Sequence, residues 1–156
     1  MKTAVVFYSH DGNSKFIAKQ IKSQTGADLI QLYTKDEKKR GKFASILWGC
    51  AMVFMNKKPP LKPYDFDPSP YDLIVFGAPV WAASPAPPIK TFLSQTVITG
   101  KKIALFVCHA GGKEDALDKF KALLSGNEII SAADFKNSLK NIEEAQQQTS
   151  DWIKGW

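Results

Sequence analysis

"TAVVFYSHDGNSKFIAKQI", residues 3–21, is the stretch that decides the fold. Thr3 to Tyr8 is a short run rich in β-favouring residues. From Phe16 onward the apolar positions Phe16, Ile17 and Ile21 follow helical spacing up to Gly26, a natural helix stop. Between strand and helix lies "SHDGNS", residues 9–14. A strand, a short polar turn and a helix form the opening unit of a βαβ fold. Two chemistries fit that turn. One is capping, with Asn13 or Ser14 as N-cap and Gly12 as turn residue. The other is an anion held by the hydroxyls of Ser9 and Ser14 and by the unpaired N–H groups that open the helix. The loop has no lysine and no G-x-x-x-x-G-K-[ST] pattern, which argues against a nucleoside triphosphate site. The absence of G-x-G-x-x-G argues against a nicotinamide dinucleotide fingerprint.

The same alternation continues along the chain. "ADLIQLYT" (27–34), "YDLIVFGAPVW" (71–81), "KKIALFVCHAGG" (101–112) and "NEIISAADF" (127–135) read as four more strands. Leu73 to Phe76 lacks polar alternation, as a strand buried on both faces should. The last strand is more polar and is expected at an edge. Pro88 suits the first turn of a helix through Ile89, Phe92 and Leu93. "KEDALDKFKALLSG" (113–126) gives a second apolar stripe, and a final helix is expected from about Asn137 to Trp156, through Leu139, Ile142, Ala145, Thr149 and Trp152. The expected architecture is a three-layer α-β-α sandwich around a parallel sheet, as one domain over residues 1–156.

Composition narrows the function classes. The chain has 156 residues, of which 44% are apolar and 23% charged, so it is not a disordered segment. Its net charge of +6, from 21 Lys and Arg against 15 Asp and Glu, favours anionic ligands or acidic partners. The lysines are scattered rather than interleaved with aromatics at a recognisable motif, so nucleic-acid binding is not expected. The two cysteines, Cys50 and Cys108, make no scaffold, no Cys-His cluster has zinc spacing, and the opening residues lack a signal-peptide layout; a cytoplasmic protein is the expectation. "FASILWGCAMVFM" (43–55) is shorter than the ~20 residues of a membrane span. With "KDEKKRGK" (35–42) and "NKKPPLKP" (56–63) on its flanks, it reads either as a helix covering the core with solvated basic ends or as a surface helix meeting a membrane or partner. The first reading is the expectation.

Three loops stand out at the carboxyl ends of strands, where open α/β sheets bind ligands. Besides 9–14 they are "GAPVWAASPAPP" (77–88) and "CHAGG" (108–112). Trp81 either stacks on a flat heteroaromatic ring or covers the mouth of the core. Gly111 and Gly112 either approach a polar ring edge or make a turn. His10 and His109 are the only histidines. Both fall in loops, where exposed imidazoles are expected. Cys108 ends a buried strand and is expected to pack rather than react. No G-x-S-x-G elbow is present, and Asp11 beside His10 is adjacency rather than a triad.

These loops carry a resemblance. "FYSHDGNSKFIA" (7–18) resembles the phosphate-binding segment of flavodoxins, and "YDLIVFGAPVWAASPAPPIKTFL" (71–93) resembles the third strand and flavin-contacting loop of flavodoxin-like oxidoreductases, with the second flavin loop falling on "CHAGG". The resemblance spans nearly the whole chain in order. It implies a five-stranded parallel sheet of order 2-1-3-4-5 with FMN at the switch between strands 1 and 3. Ser9 and Ser14 would then donate hydroxyls to the FMN phosphate, with backbone N–H groups from Asp11, Gly12 and Asn13 and with His10 in the same cofactor-binding loop. Ala78, Pro79, Val80, Trp81 and Ala82 would flank the ring, with Trp81 stacking. Cys108, His109, Ala110, Gly111 and Gly112 would face its pyrimidine edge. No side chain is expected to act as a catalytic acid or base.

Two departures from the flavodoxin pattern matter. Asp11 stands where Thr or Ser is common, so its carboxylate must point away from the phosphate or cap its own turn. "CHAGG" lacks the tyrosine that often covers the ring. The resemblance therefore implies an FMN-dependent electron carrier, with an FMN-dependent NAD(P)H:quinone-type oxidoreductase and a flavin-free binding or regulatory module as rivals. The implied partners are redox donor and acceptor proteins or a small quinone-like substrate. The basic charge argues against the docking partners of acidic flavodoxins.

Overall fold

A computed structural model describes residues 1–36, 41–113 and 115–156; the middle of the basic run 35–42 lies outside them. The elements in chain order are β1 (Thr3–Tyr8), α1 (Asn13–Thr25), β2 (Asp28–Leu32), α2 (Lys42–Phe54), β3 (Leu73–Trp81), β4 (Ser84–Pro85), α3 (Pro88–Gln95), β5 (Lys102–His109), α4 (Ala116–Ala122), β6 (Glu128–Lys136) and α5 (Ile142–Ile153). Five strands pair in parallel in the order β2-β1-β3-β5-β6, which is the expected 2-1-3-4-5 arrangement. The two-residue β4 adds an antiparallel pair to β3 that the sequence reading missed.

Strand alternation divides the core into two layers. Val6, Tyr8, Ile74, Phe76 and Leu105 face Ile89 and Phe92 of α3 and Phe120 of α4. Val5, Phe7, Val75 and Phe106 face Ile17 and Ile21 of α1 and Ala145 of α5. Burying each large side chain contributes about 1.5–3 kcal/mol, which is why the central strands tolerate no polar alternation. β6 lies at the edge, as its polarity predicts, and most of it is half-buried.

Three local expectations are corrected. The N-cap of α1 is Gly12, at φ 96°, rather than Asn13 or Ser14. A left-handed residue is needed there to turn the chain from β1 into the helix, and glycine adopts it without strain. The last helix begins at Ile142 rather than near Asn137. Residues 137–141 form a turn instead, with Asn137 at φ 48°. The helix 43–55 does form, as α2, but it does not cover the core: Phe43, Ile46, Leu47, Phe54 and Met55 are all exposed. It packs against the end of β3, where Gly49 meets the Trp81 ring, and the proline-rich connection after it is tied to α3. Pro59 accepts a hydrogen bond from Thr91 Oγ1 at 2.8 Å, and Leu61 is buried.

Candidate functional site

The parallel strands deliver their carboxyl ends to one edge, and a cleft of about 550 Å³ opens there. Its lining joins the first loop (His10, Asp11, Asn13), the end of β3 (Pro79 to Ala82), the end of β5 (Cys108 to Ala110), Asn137, and one side of α2 (Ser45, Ile46, Gly49, Cys50). Ten of the residues singled out in the sequence therefore share one cavity. Ser9, Gly12 and Ser14 stand in the same first loop behind the lining, and Ala78 is fully buried beneath it. Gly111 and Gly112 are exposed and do not line the cleft.

The first loop is closed by its own side chains. Asp11 Oδ1 accepts the N–H of Asn13 at 3.1 Å, and Ser9 Oγ accepts that of Lys15 at 3.2 Å. The Asp11 carboxylate thus caps its own turn. Asn13 Oδ1 accepts the N–H of Leu139 at 3.0 Å, which ties the loop to the turn after β6. Ser14 Oγ, in the first turn of α1, is buried beside the Cys108 thiol, as is Ser138 Oγ, and neither makes a well-formed hydrogen bond among the described residues. An unpaired buried hydroxyl costs stability, so such groups signal a site or a strain.

The second loop carries backbone strain. β3 turns into β4 through Ala82 and Ala83, at φ 45° and 54°. Two consecutive left-handed residues are what a tight two-residue hairpin demands, but alanine is an unfavourable choice for them. The turn is held by Lys119 Nζ, which donates to the Ala83 carbonyl at 2.9 Å. It presents Trp81, whose indole is met edge-on by Tyr8, His10 and Trp48 with ring centroids 5.7, 5.7 and 5.6 Å away. Gly49 admits this packing: a Cβ on it would lie 3.1 Å from the Trp81 ring.

The third loop holds an ordered charge group that sequence reasoning missed. His109 Nε2 lies 2.9 Å from Asp134 Oδ2, and Lys113 Nζ donates to Asp134 Oδ1 at 2.6 Å. The expectation of an exposed imidazole fails here, since the His109 side chain is only 6% exposed. Partial burial works to raise the Asp134 carboxyl, but the hydrogen bonds and charges of Lys113 and His109 outweigh it and hold the group below the ordinary carboxylate range. Asp134 is therefore ionised at neutral pH, His109 Nε2 donates to it, and Nδ1 has no partner among the described residues. Burial pushes the Cys108 thiol up to about 12, with the nearby Ser14 and Ser138 hydroxyls pulling the other way and Asp11 adding to the rise. A thiol so far from ionisation packs rather than reacts.

The α2 lining was not legible as part of the site. Its one signal is Gly49, a glycine inside an apolar helix, which marks a close approach by another group.

Comparison with known proteins agrees with this geometry. A family model described as flavodoxin matches residues 2–155. Among solved structures, a flavoprotein from Lactobacillus acidophilus NCFM in complex with FMN is similar, with 26% identity and a TM-score of 0.75, covering 90% of this chain and 97% of its own. The NMR structure of the apo-form of that flavoprotein gives 26% identity and a TM-score of 0.68, covering 89% of this chain and 95% of its own. Two-electron reduced Megasphaera elsdenii flavodoxin shares the fold at 19% identity and a TM-score of 0.59, covering 97% and 98% of the two chains. No curated protein matches the chain.

Proposed function

The chain belongs to the flavodoxin family, and from that premise we infer that it is an electron carrier working through FMN held in the cleft at the carboxyl edge of the sheet. The observation that carries this reading is the continuity of one cavity from the start of α1 past Trp81 to the end of β5. Its volume lies within the usual range for small-molecule and cofactor sites. The residues present fit the group. The Ser14 and Ser9 hydroxyls and the amino-terminus of α1 offer donors to a phosphate. Val80 and Trp81 offer an apolar wall to a flat ring, and the His109–Ala110 segment offers polar groups to its edge.

When bound, FMN supplies the electron chemistry, and the protein supplies binding, orientation and electrostatics. The residues divide that work. The head of α1 would hold the anionic end, with the Asn13 and Lys15 N–H groups exchanging their Asp11 and Ser9 partners for it. Trp81, pinned by Tyr8 and Trp48, limits where a ring can lie. Asp134 accepts from His109 Nε2 and so orients the imidazole in this wall, and Lys113 helps keep the carboxylate charged. The partners supported by the family are redox proteins. The net charge of +6 favours acidic ones.

A second reading has one observation in its favour. The α2 side of the cleft is apolar and carries Ile46 and Gly49, which suits a small quinone-like acceptor and hence an NAD(P)H-linked reductase. One experiment decides between them: the FMN-loaded protein is mixed with a one-electron redox protein, and separately with NAD(P)H and a water-soluble quinone. A carrier exchanges electrons with the redox protein and shows no NAD(P)H turnover. Sustained NAD(P)H oxidation would give the reductase reading instead.

A further inference from the structure

The outward side of α2 is apolar from end to end. Phe43, Leu47, Ala51 and Phe54 recur at helical steps on one side, and Phe43, Leu47 and Phe54 are 76%, 57% and 82% exposed. Ile46 and Met55, each 63% exposed, widen the stripe. A helix on a globular surface ordinarily turns charged or polar residues outward. Here the inward side is occupied by Gly49 against Trp81, and the solvent side carries no charge at all between Phe43 and Phe54.

The charges carried by the segment itself are of one sign. α2 runs on into Lys57 and Lys58, with Lys62 close behind, and all three are exposed. Lys90 Nζ reaches Asn56 Oδ1 at 3.4 Å, which brings a fourth cation to the same end. Among the described residues none of these lysines forms an ion pair, and no Asp or Glu occurs from residue 41 to residue 64.

We propose that α2 docks the protein on an anionic membrane surface. Phe43, Leu47 and Phe54 enter the boundary between headgroups and acyl chains, and the lysine cluster rests on anionic headgroups. At 13 residues the helix lies along the interface and does not cross it. Charge selects this occupant. A second copy of this segment, which holds no Asp or Glu from residue 41 to residue 64, would give the lysines no counter-charge, whereas an anionic bilayer meets both the apolar side chains and the cations. Ser45, Ile46, Gly49 and Cys50 of the same helix line the cleft, so docking brings the cleft mouth to the membrane plane. This surface does not depend on what fills the cleft.

Vesicle flotation tests the proposal, using the full chain with phosphatidylcholine vesicles and with vesicles that also contain phosphatidylglycerol. The expected result is flotation with the anionic vesicles that added salt weakens, and that Leu47→Glu or Phe54→Glu reduces about tenfold or more. Lys57→Glu with Lys58→Glu removes the preference for anionic lipid. Circular dichroism and FMN uptake are read on each variant, so a lost fold or a failed flavin site is distinguished from lost docking; Phe43→Ser is the milder substitute if a glutamate variant misfolds. Absence of flotation with anionic vesicles overturns the proposal, and so does flotation that neither Leu47→Glu nor Phe54→Glu changes. A dimer in sedimentation equilibrium that Leu47→Glu dissolves, without vesicle binding, assigns the face to a second copy and also overturns it.

Discussion

Asp11 Oδ1 accepts the N–H of Asn13 at 3.1 Å, closing a turn across the head of α1. That amide is one of the few donors a phosphate at this position would seek, and the carboxylate adds a negative charge beside it. Asp11→Thr frees the donor and removes the charge. FMN affinity is expected to rise about three- to tenfold, equivalent to roughly 1 kcal/mol. The apo-protein is expected to lose a few tenths of a kcal/mol, because a carboxylate at a helix start is stabilising. Fluorescence titration and urea unfolding read the two effects separately. Unchanged affinity would mean that the Asn13 amide takes no part in phosphate binding.

The Asp134 group predicts a pH signature. Its folded carboxyl lies below the ordinary range, so the stability it contributes is present above its unfolded value, near pH 4, and is lost as pH falls through the lower folded value. Asp134→Asn, which leaves Lys113 and His109 without their acceptor, is expected to unfold at lower urea than the parent at pH 7. The gap should narrow as the pH drops below about 4. Urea midpoints across that range check it, and a constant gap would contradict the assigned ion pair.

The two cysteines should separate cleanly in a thiol assay. Cys108 is buried, with its thiol pushed up to about 12, while Cys50 is half-buried and lines the cleft. Ellman's reagent is expected to label one thiol per native chain, more slowly once FMN is added, and the second only in denaturant. Rapid labelling of both native thiols would contradict the packing at the end of β5.

The strained hairpin offers a stabilising change. Ala83 sits at φ 54°, a conformation that costs a residue with a Cβ about 1–2 kcal/mol. Ala83→Gly removes that cost against about 0.5–1 kcal/mol of lost chain entropy, for a net gain near 0.5–1 kcal/mol. The melting temperature is expected to rise about 2–3 °C. A fall would show that the turn is unstrained.

These tests separate what was written locally in the chain from what was not. The strands and the three loops at their carboxyl ends were legible because buried parallel strands leave unbroken apolar runs such as Leu73–Phe76, and because those loops have distinctive polar or glycine-rich composition, whereas the strand order came only with the family resemblance. The Asp134–His109 pair was not legible. Its members are 25 residues apart and meet only through the pairing of β5 with β6. The same holds for α2. Its apolar residues looked like core, because hydrophobicity alone does not say which side of a helix finds a partner. The early start assigned to the last helix has a local cause: Leu139 keeps the helical spacing, but its N–H is taken by Asn13 Oδ1 across the fold.

Trp81 joins α2 to the cleft, since it meets Trp48 of α2 at 5.6 Å and lines the cavity offered to FMN. This cleft is expected to take up one FMN, and titration of the apo-protein with FMN, followed by flavin and tryptophan fluorescence together, tests that most directly. Saturation at one FMN per chain is predicted, with both signals changing in step. Trp81→Ala should weaken binding about tenfold, as expected for loss of an aromatic contact of roughly 1.5 kcal/mol. A protein that stays colourless and leaves the fluorescence of added FMN unquenched would contradict the claim.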